Sequence, residues 1–264
     1  MRRHPWFEGV GTPRVLAHRG LVTSEDALHG VVENSFAAVA AAHAAGADYV
    51  ESDCHLTADG VVVLFHDADL SRVAGDPRPV AAVRSRELDD LMSERGGLLT
   101  LDQALEAFPT IRFNLDVKAA GAATPVGEAV SPHGHRVLVT SFSDDRRRTA
   151  LRAAETAGRG IRPATSAGSA TIARLLAALQ LRSPRLIARV LRGIDALQIP
   201  ERQGRLRILT PRLIRVAHDC GVEIHVWTVN ERDDMARLVG LGVDGIVTDR
   251  ADHALRLFGG AGTG

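Results

Sequence analysis

The sequence predicts an α/β protein whose parallel strands close into an eight-stranded barrel. Segments typical of strands and of helices alternate along the 264 residues, and such alternation favours a mostly parallel sheet. The length is also close to the roughly 250 residues of a typical single α/β barrel. Because 45% of the residues are apolar and no low-complexity linker divides the chain, we expect one domain over residues 1–264, with its core at 13–258.

Nine segments have the pattern of strands, one more than the barrel needs. They are residues 15–18, 48–55, 61–66, 111–117, 137–142, 161–165, 195–199, 223–229 and 245–248. The second and third of these are separated by too few residues for a crossover helix. We therefore expect a hairpin at residues 48–66, with one arm lying over the mouth of a somewhat irregular (β/α)8 TIM barrel.

Helices are predicted between the strands. The clearest spans are residues 34–46, 100–107, 144–157, 168–181, 211–219 and 231–240. Asn34 or Ser35 is placed to cap the first of these helices, and Thr100 is placed to cap the second. Residues 68–98 hold Gly, Pro and mixed charge and fit neither pattern. We expect a small insertion there, which is either a gate over the site or a plain surface loop with a short helix.

Composition and charge exclude several classes of partner. The formal net charge is 0 and aromatic residues make up only 4%, which argues against nucleic acid as a partner. The longest apolar stretch, residues 36–47, is too short to span a bilayer, and the first residues lack the apolar segment of a secretory signal. We therefore expect a cytoplasmic protein without stable membrane insertion. Its two cysteines, Cys54 and Cys220, are expected to be free buried thiols. The oligomeric state stays open.

The predicted hairpin carries the most informative residues. Strand alternation places Glu51 and Asp53 on one face of its first arm. Two carboxylates on a buried face are costly unless a positive group is present, most simply a metal ion. Asp59 and Gly60 are a favoured pair for a two-residue hairpin loop. That loop would place His66 opposite Asp53, with their Cα atoms roughly 5 Å apart.

Other predicted strands also end in residues suited to chemistry. His18 and Arg19 follow the first strand, and Asp116 and Lys118 lie at the end of the strand at 111–117. In parallel barrels the functional residues lie at the carboxyl ends of the strands. The sequence therefore predicts one site that is assembled from several strand ends. We interpret Asp249, which follows the last strand, as a barrel-closing residue outside this site.

These motifs and their order carry a family resemblance. The chain resembles the glycerophosphodiester phosphodiesterases in HRG (18–20), EN (33–34), VESD (50–53) followed by LTADG (56–60), FHD (65–67), LDVK (115–118), VWTVN (226–230) and GVDGIVTD (242–249). The ordered set covers nearly the whole chain, which makes it specific. Two positions depart from the family pattern, because Ser35 stands where Thr is common and Asp116 stands where the third metal carboxylate is commonly Glu.

The resemblance implies a TIM barrel of the phosphatidylinositol-phosphodiesterase-like superfamily. It also implies metal-dependent hydrolysis of small-molecule glycerophosphodiesters to glycerol 3-phosphate and an alcohol. The implied site has two catalytic histidines, three ligands for Mg²⁺ or Ca²⁺ and four substrate-binding residues: His18 and His66; Glu51, Asp53 and Asp116; and Arg19, Lys118, Trp227 and Glu33. Which histidine is the acid stays open, and so does the choice between direct attack by water and a cyclic phosphate intermediate.

Two alternative functions stay open at this point. A lysophospholipase D or sphingomyelinase D-like phosphodiesterase, acting on lysolipids, would share the paired histidines and the acidic metal site. The segments VWTVN and GVDGIVTD match the glycerophosphodiester phosphodiesterases better. A non-catalytic phosphate-binding barrel would be expected to lack a histidine or a metal carboxylate, and none of these is missing from the sequence.

Overall fold

The structure, a computed structural model, describes residues 3–259 and contains both the barrel strands and several short hairpin strands. The strands are β1 (Arg14–His18), β2 (Tyr49–Leu56), β3 (Val62–Leu64), β4 (Asp69–Leu70), β5 (Asp76–Pro79), β6 (Arg112–Val117), β7 (Val137–Thr140), β8 (Ala164–Thr165), β9 (Ala196–Ile199), β10 (Arg202–Gln203), β11 (Leu206–Arg207), β12 (Glu223–Val226) and β13 (Gly245–Thr248). The eight predicted barrel strands and the hairpin arm all lie among them.

Eight of these strands form one parallel sheet, in the order β8-β7-β6-β2-β1-β13-β12-β9. A parallel bridge between Ser166 and Ala196 joins the two ends of this sheet, so that it closes into the predicted barrel. Alternation along β2 follows the prediction as well. Val50 and Cys54 belong to the large apolar core, whereas Glu51 lines a cavity.

Helices lie between the barrel strands and around them. They are α1 (Ser24–Leu28), α2 (Phe36–Ala44), α3 (Ser71–Ala74), α4 (Ser85–Met92), α5 (Leu101–Ala107), α6 (Ala123–Val130), α7 (Asp144–Ala157), α8 (Ser169–Gln180), α9 (Pro184–Val190), α10 (Pro211–Asp219), α11 (Arg232–Gly240) and α12 (Ala251–Gly259). The predicted caps are present, because the Ser35 hydroxyl accepts a hydrogen bond from the Ala38 N–H and Thr100 forms a capping box with Gln103. The sequence did not predict α1, α6, α9 or α12, and for residues 68–98 it allowed one short helix where the structure has α3 and α4.

The predicted hairpin forms between β2 and β3, but its register differs by one residue from the expected one. Cys54 faces Leu64, and the Phe65 N–H donates to the Asp53 carbonyl over 2.9 Å. Phe65 rather than His66 is therefore opposite Asp53, and the predicted pairing is wrong. His66 instead follows the end of the antiparallel pairing.

The cause of this shift is a three-residue loop, Ala58 to Gly60, in place of the expected two-residue loop. Thr57 pairs with Val61, because its N–H donates to the Val61 carbonyl and its hydroxyl accepts from the Val61 N–H. The same hydroxyl donates to the Asp59 carboxylate over 2.6 Å. Gly60 has φ of +82°, the left-handed conformation that closes such a loop.

The insertion at residues 68–98 has more structure than a surface loop with one short helix. It contains α3, α4 and the antiparallel pair β4–β5. Its buried residues form a separate apolar cluster with the outer arm of the hairpin: Val63, Phe65, Leu70, Val80, Val83, Leu88, Met92 and Leu98. This cluster supports the chain segment on which His66 lies.

The amino end of the barrel is closed by the segment before β1. Trp6 and Phe7 are buried there, and the Trp6 indole N–H donates to the Phe113 carbonyl. Beside them Arg14 and Glu223 form a buried pair at 2.8 Å. Because this end is plugged, solvent reaches the barrel from the carboxyl ends of the strands.

Two findings outside the site concern the helices and the cysteines. None of the helices in residues 3–259 combines the length and the hydropathy needed to cross a membrane. Both cysteines are free, and Cys54 is buried as expected. Cys220 is exposed, so its predicted burial is wrong; it ends α10 at the surface.

Candidate active site

A cavity of about 740 Å³ opens at the carboxyl ends of the barrel strands. Eight of the nine predicted site residues line it: His18, Arg19, Glu51, Asp53, His66, Asp116, Lys118 and Trp227. The ninth, Glu33, lines an adjoining cavity of about 280 Å³, to which His18 and Arg19 also contribute. The fold thus brings together residues that are spread over more than 200 positions of the chain.

The carboxylates meet because neighbouring strands carry them at the same level. Asp53 of β2 is in register with Asp116 of β6, and Glu51 lies two residues before Asp53 on the same face. Lys118 Nζ lies 2.9 Å from Asp53 Oδ1 and 2.6 Å from Asp116 Oδ2. Arg19 Nε lies 3.1 Å from Asp53 Oδ2. Two cations therefore face three carboxylates.

The loops after β1 and before α2 hold this cluster from one side. Arg19 and Asn34 both have left-handed backbones, with φ of +59° and +61°. The Asn34 N–H donates to the Arg19 carbonyl over 2.9 Å, and its side-chain amide donates to Asp53 Oδ2 over 3.0 Å. Such strained conformations are uncommon outside glycine and cluster at functional sites. The sequence analysis named Asn34 as a possible helix cap and as part of the EN motif, but missed its contact with Asp53.

Burial and mutual repulsion shift the pKa values of this cluster. Burial, followed by the charges of Asp53 and Asp116, raises the pKa of Glu51 well above its usual range. Burial likewise raises the pKa of Asp116, although Lys118 opposes this shift. For Lys118, burial lowers the pKa, but the two aspartates raise it by more, so that it stays charged. The cluster therefore has an excess of negative charge in a poorly solvated place.

The residues present fit a divalent cation. Glu51 Oε2 and Asp116 Oδ1 are buried and have no hydrogen-bond partner among the described residues. Carboxylate oxygens are the ligands that Mg²⁺ and Ca²⁺ prefer, and a cation would neutralise the excess charge. Within residues 3–259 no three His, Cys, Asp or Glu side chains converge as a ready-made metal site. Lys118 bridges Asp53 Oδ1 and Asp116 Oδ2 and leaves Asp116 Oδ1 without a partner among the described residues.

His18 is oriented by a carboxylate from the last barrel strand. His18 Nδ1 lies 2.6 Å from Asp249 Oδ1, and its Nε2 lies 3.8 Å from Glu51 Oε2. Asn230 donates to the other Asp249 oxygen over 2.8 Å. Our interpretation of Asp249 as a residue outside the site is therefore wrong. Pairing of the first and last strands, which barrel closure requires, was the sequence signal that could have indicated this contact.

His66 is oriented in the same way by its neighbour in the chain. His66 Nδ1 lies 2.7 Å from Asp67 Oδ1, and Arg72 Nε donates to Asp67 Oδ2 over 2.6 Å. Arg72 also lies 2.6 Å from Glu33 Oε1, while Arg19 lies 3.5 Å from it. Glu33 thus faces two arginines and links the insertion to the site. The sequence analysis assigned no role to Asp67 or Arg72.

The comparison with known families agrees with this geometry. The sequence model of the glycerophosphoryl diester phosphodiesterase family matches residues 18–253. The chain belongs to this family. It is accordingly a phosphoric diester hydrolase. Enzymes of the family generally depend on a divalent metal, which agrees with the acidic cluster.

Relatives and solved structures support the assignment over most of the chain. A probable glycerophosphodiester phosphodiesterase 2 of Mycobacterium tuberculosis is 38% identical over 241 residues, which cover 90% of this chain and 87% of the relative. A lysophospholipase D of Mus musculus is 28% identical, with 89% and 79% covered. A phosphodiesterase of Oleispira antarctica, solved with the product sn-glycerol-3-phosphate, has the same fold, with a TM-score of 0.69, 21% identity and coverage of 94% and 97%.

Proposed function

We propose that this protein hydrolyses glycerophosphodiesters to glycerol 3-phosphate and an alcohol, with His18 and His66 as the general acid and base. The observation that carries the proposal is that each histidine has its own carboxylate at Nδ1, Asp249 at 2.6 Å and Asp67 at 2.7 Å. A carboxylate only accepts, so the proton of each ring lies on Nδ1 and leaves Nε2 free to exchange a proton.

The histidines divide the two proton transfers of the reaction. One takes the proton of the attacking water or glycerol hydroxyl, and the other gives a proton to the departing alkoxide. Each such transfer typically contributes about 10²- to 10⁴-fold to the rate. Two histidines with similar partners, both lining one cavity, support this division of roles.

Positive side chains bind the phosphate itself. Arg19 and Lys118 both line the cavity, and their charges are held there by Asp53 and Asp116. A guanidinium can bind two phosphate oxygens at once, whereas an ammonium acts as a point charge. Both would stabilise the charge that develops on the phosphate oxygens during hydrolysis. Glu33 holds the Arg19 side chain from the opposite side.

Glu51, Asp53 and Asp116 would hold the divalent cation, Mg²⁺ or Ca²⁺. When bound, such an ion polarises a phosphate oxygen and stabilises transition-state charge. The buried, unpartnered oxygens of Glu51 and Asp116 support this assignment. Asp116 has a shorter side chain than the Glu common at this position, but its register with Asp53 keeps the two carboxylates together.

The proposal is tested by measuring glycerol phosphate released from glycerophosphocholine and glycerophosphoethanolamine, with Mg²⁺, with Ca²⁺ and with chelator. We expect release that depends on the metal and falls by about 10²-fold or more in His18→Ala and in His66→Ala. His135→Ala is the matched control, because His135 is exposed and precedes β7 at the amino end of the barrel. Normal turnover in both site variants, or release that chelator does not affect, would refute the proposal.

A further inference from the structure

Arg72 of α3 lines neither cavity, yet it binds two carboxylates that hold residues of the site. Its Nε donates to Asp67 Oδ2 over 2.6 Å, and one of its terminal nitrogens lies 2.6 Å from Glu33 Oε1. A guanidinium is planar and rigid, so that it fixes the distance and the angle between two groups that it binds at once. Arg72 therefore joins the chain segment after β3 to the segment before α2.

Each of the two carboxylates holds a different part of the site. Asp67 uses its other oxygen, Oδ1, to hold Nδ1 of His66 at 2.7 Å. The Glu33 oxygen that faces Arg72 also faces Arg19, at 3.5 Å. In the proposed function, His66 transfers a proton and Arg19 binds the phosphate. One side chain is therefore linked, through a single carboxylate in each direction, to proton transfer and to phosphate binding.

The insertion holds the backbone that carries Arg72. Arg95 donates to the Val73 carbonyl of α3 over 2.9 Å, and its own carbonyl accepts from the N–H of Val32, in the loop before α2, over 3.1 Å. Leu70, at the end of β4, is fully buried in the apolar cluster of the insertion. The side chain of Arg72 thus starts from a backbone that is fixed relative to both of its partners.

Stability is a weak explanation for this arrangement. The side chains of Arg72, Glu33 and Asp67 are 51%, 27% and 24% exposed. Ion pairs with this much exposure add little to the free energy of folding. A catalytic group that is displaced by about 1 Å, in contrast, can lower a rate by about 10²-fold. The contacts of Arg72 are therefore expected to matter more for the geometry of the site than for folding.

We propose that Arg72 is a positioning residue that sets the orientation of His66 and Arg19 relative to each other. It acts through Asp67 on the first and through Glu33 on the second. This inference rests on the proposed function, which gives His66 and Arg19 their roles. Loss of Arg72 should lower kcat, because the Asp67 carboxylate no longer holds the ring in place. It should also raise KM, because Glu33 no longer holds the phosphate ligand.

The test measures kcat and KM for the release of glycerol phosphate from glycerophosphocholine and glycerophosphoethanolamine, with saturating Mg²⁺ or Ca²⁺. Arg72→Met removes the charge and all donors but keeps a long side chain. We expect kcat/KM to fall by about 10- to 100-fold, with a lower kcat and a higher KM. Tm should fall by no more than about 4 °C. Arg72→Lys keeps the charge without the rigid pair of donors and should recover only part of the loss.

Arg78→Met is the matched control within the same insertion. Arg78 of β5 also binds two carboxylates, Asp76 at 2.5 Å and Glu87 at 2.6 Å, and its side chain is 47% exposed. Neither Arg78 nor its two partners line either cavity. The control should therefore lose a similar pair of surface contacts and leave both kcat and KM unchanged.

A background without the two carboxylates shows the route of the effect. Asp67→Ala and Glu33→Ala together remove both partners of Arg72. Adding Arg72→Met to this background should change kcat/KM little, because residues that act as a unit have non-additive effects. A residue that merely supports the fold of the insertion would cause the same loss in both backgrounds.

The outcomes separate this inference from the proposed function. Wild-type kcat/KM in Arg72→Met or Arg72→Lys, an equal loss in both backgrounds, or an equal loss in Arg78→Met overturns the positioning role. The proposed function stays intact in each of these cases, because the wild type still turns over. If the well-folded wild type releases glycerol phosphate from neither diester with either metal, the proposed function fails, and the inference fails with it.

Discussion

Replacing Glu51 with glutamine should stabilise the metal-free protein and weaken its response to metal. Glu51 is 8% exposed, and its Oε2 has no hydrogen-bond partner among the described residues. Burial and the neighbouring charges of Asp53 and Asp116 raise its pKa well above 4.5. A group whose pKa is raised by folding contributes its full stability only below the unfolded pKa and loses that contribution as the pH rises. The advantage of Glu51→Gln should therefore grow as the pH rises above about 4.5.

The size of the expected gain in stability follows from the buried, unpartnered Oε2 of Glu51. Leaving a buried polar group unpartnered costs about 1–3 kcal/mol. Glutamine keeps the shape and can donate to the neighbouring carboxylates, so that we expect a gain of about 1–2 kcal/mol in the free energy of unfolding. For a chain of this size, 1 kcal/mol corresponds to about 2–4 °C in Tm. Metal at about 100 times its Kd should add about 2.7 kcal/mol to the wild type and much less to the variant.

Thermal unfolding with chelator, with Mg²⁺ and with Ca²⁺ measures both effects. Glu201→Gln is the matched control, because Glu201 pairs with Arg237 at 2.7 Å on the surface and lies outside the carboxylate cluster. That variant should lose no more than about 1 kcal/mol and should keep the full metal response. A Glu51→Gln protein that melts below wild type in chelator at neutral pH, or that gains as much as wild type from metal, would refute the reasoning.

Three further predictions concern other residues. Asp249→Asn should lower kcat by about 10²-fold and change its pH profile with little effect on KM, since the amide no longer holds the Nδ1 proton of His18; an unchanged profile would contradict this role. Gly20→Ala should cost about 3 kcal/mol or more in urea unfolding, because Gly20 has φ of +90° and its Cβ would lie 2.6 Å from the Ala38 carbonyl carbon; wild-type stability would contradict it. Burial lowers the pKa of His225 to about 3, so stability should fall as the pH drops from about 6.5 towards 3, by up to about 1.4 kcal/mol per pH unit. His225→Gln should flatten that dependence in urea unfolding, and an unchanged slope would exclude His225 as its source.

Local patterns predicted most of the barrel. The helix predicted over 144–157 has those bounds, and Thr100 caps α5, because both depend on side chains within a few residues of one another. Strand alternation, which is also a local property, correctly placed Glu51 and Val50 on opposite faces of β2. The missed helices are mostly short segments, such as α9 with seven residues, where periodicity is a weak signal.

The sequence predicted which residues form the site better than it predicted which of their side chains touch. Eight predicted residues line the cavity. Most of them end or follow a barrel strand, whereas Glu51 and Asp53 lie within β2 and His66 follows the antiparallel arm β3. Their chemical roles and the cytoplasmic location stay predictions. The hairpin register was not predictable from Asp59 and Gly60, because the Thr57 side chain determines the loop length.

The sequence by itself determined the family, the order of the barrel strands and the residue types at the site, since periodicity, caps and motifs are local properties of the chain. Only the tertiary structure decided which groups touch. Asp249 contacts His18 across 231 positions, and Lys118 lies between Asp53 and Asp116, because barrel closure and strand register bring them together. The cavity is likewise a product of packing, since the side chains that line it come from separate elements that no local pattern relates.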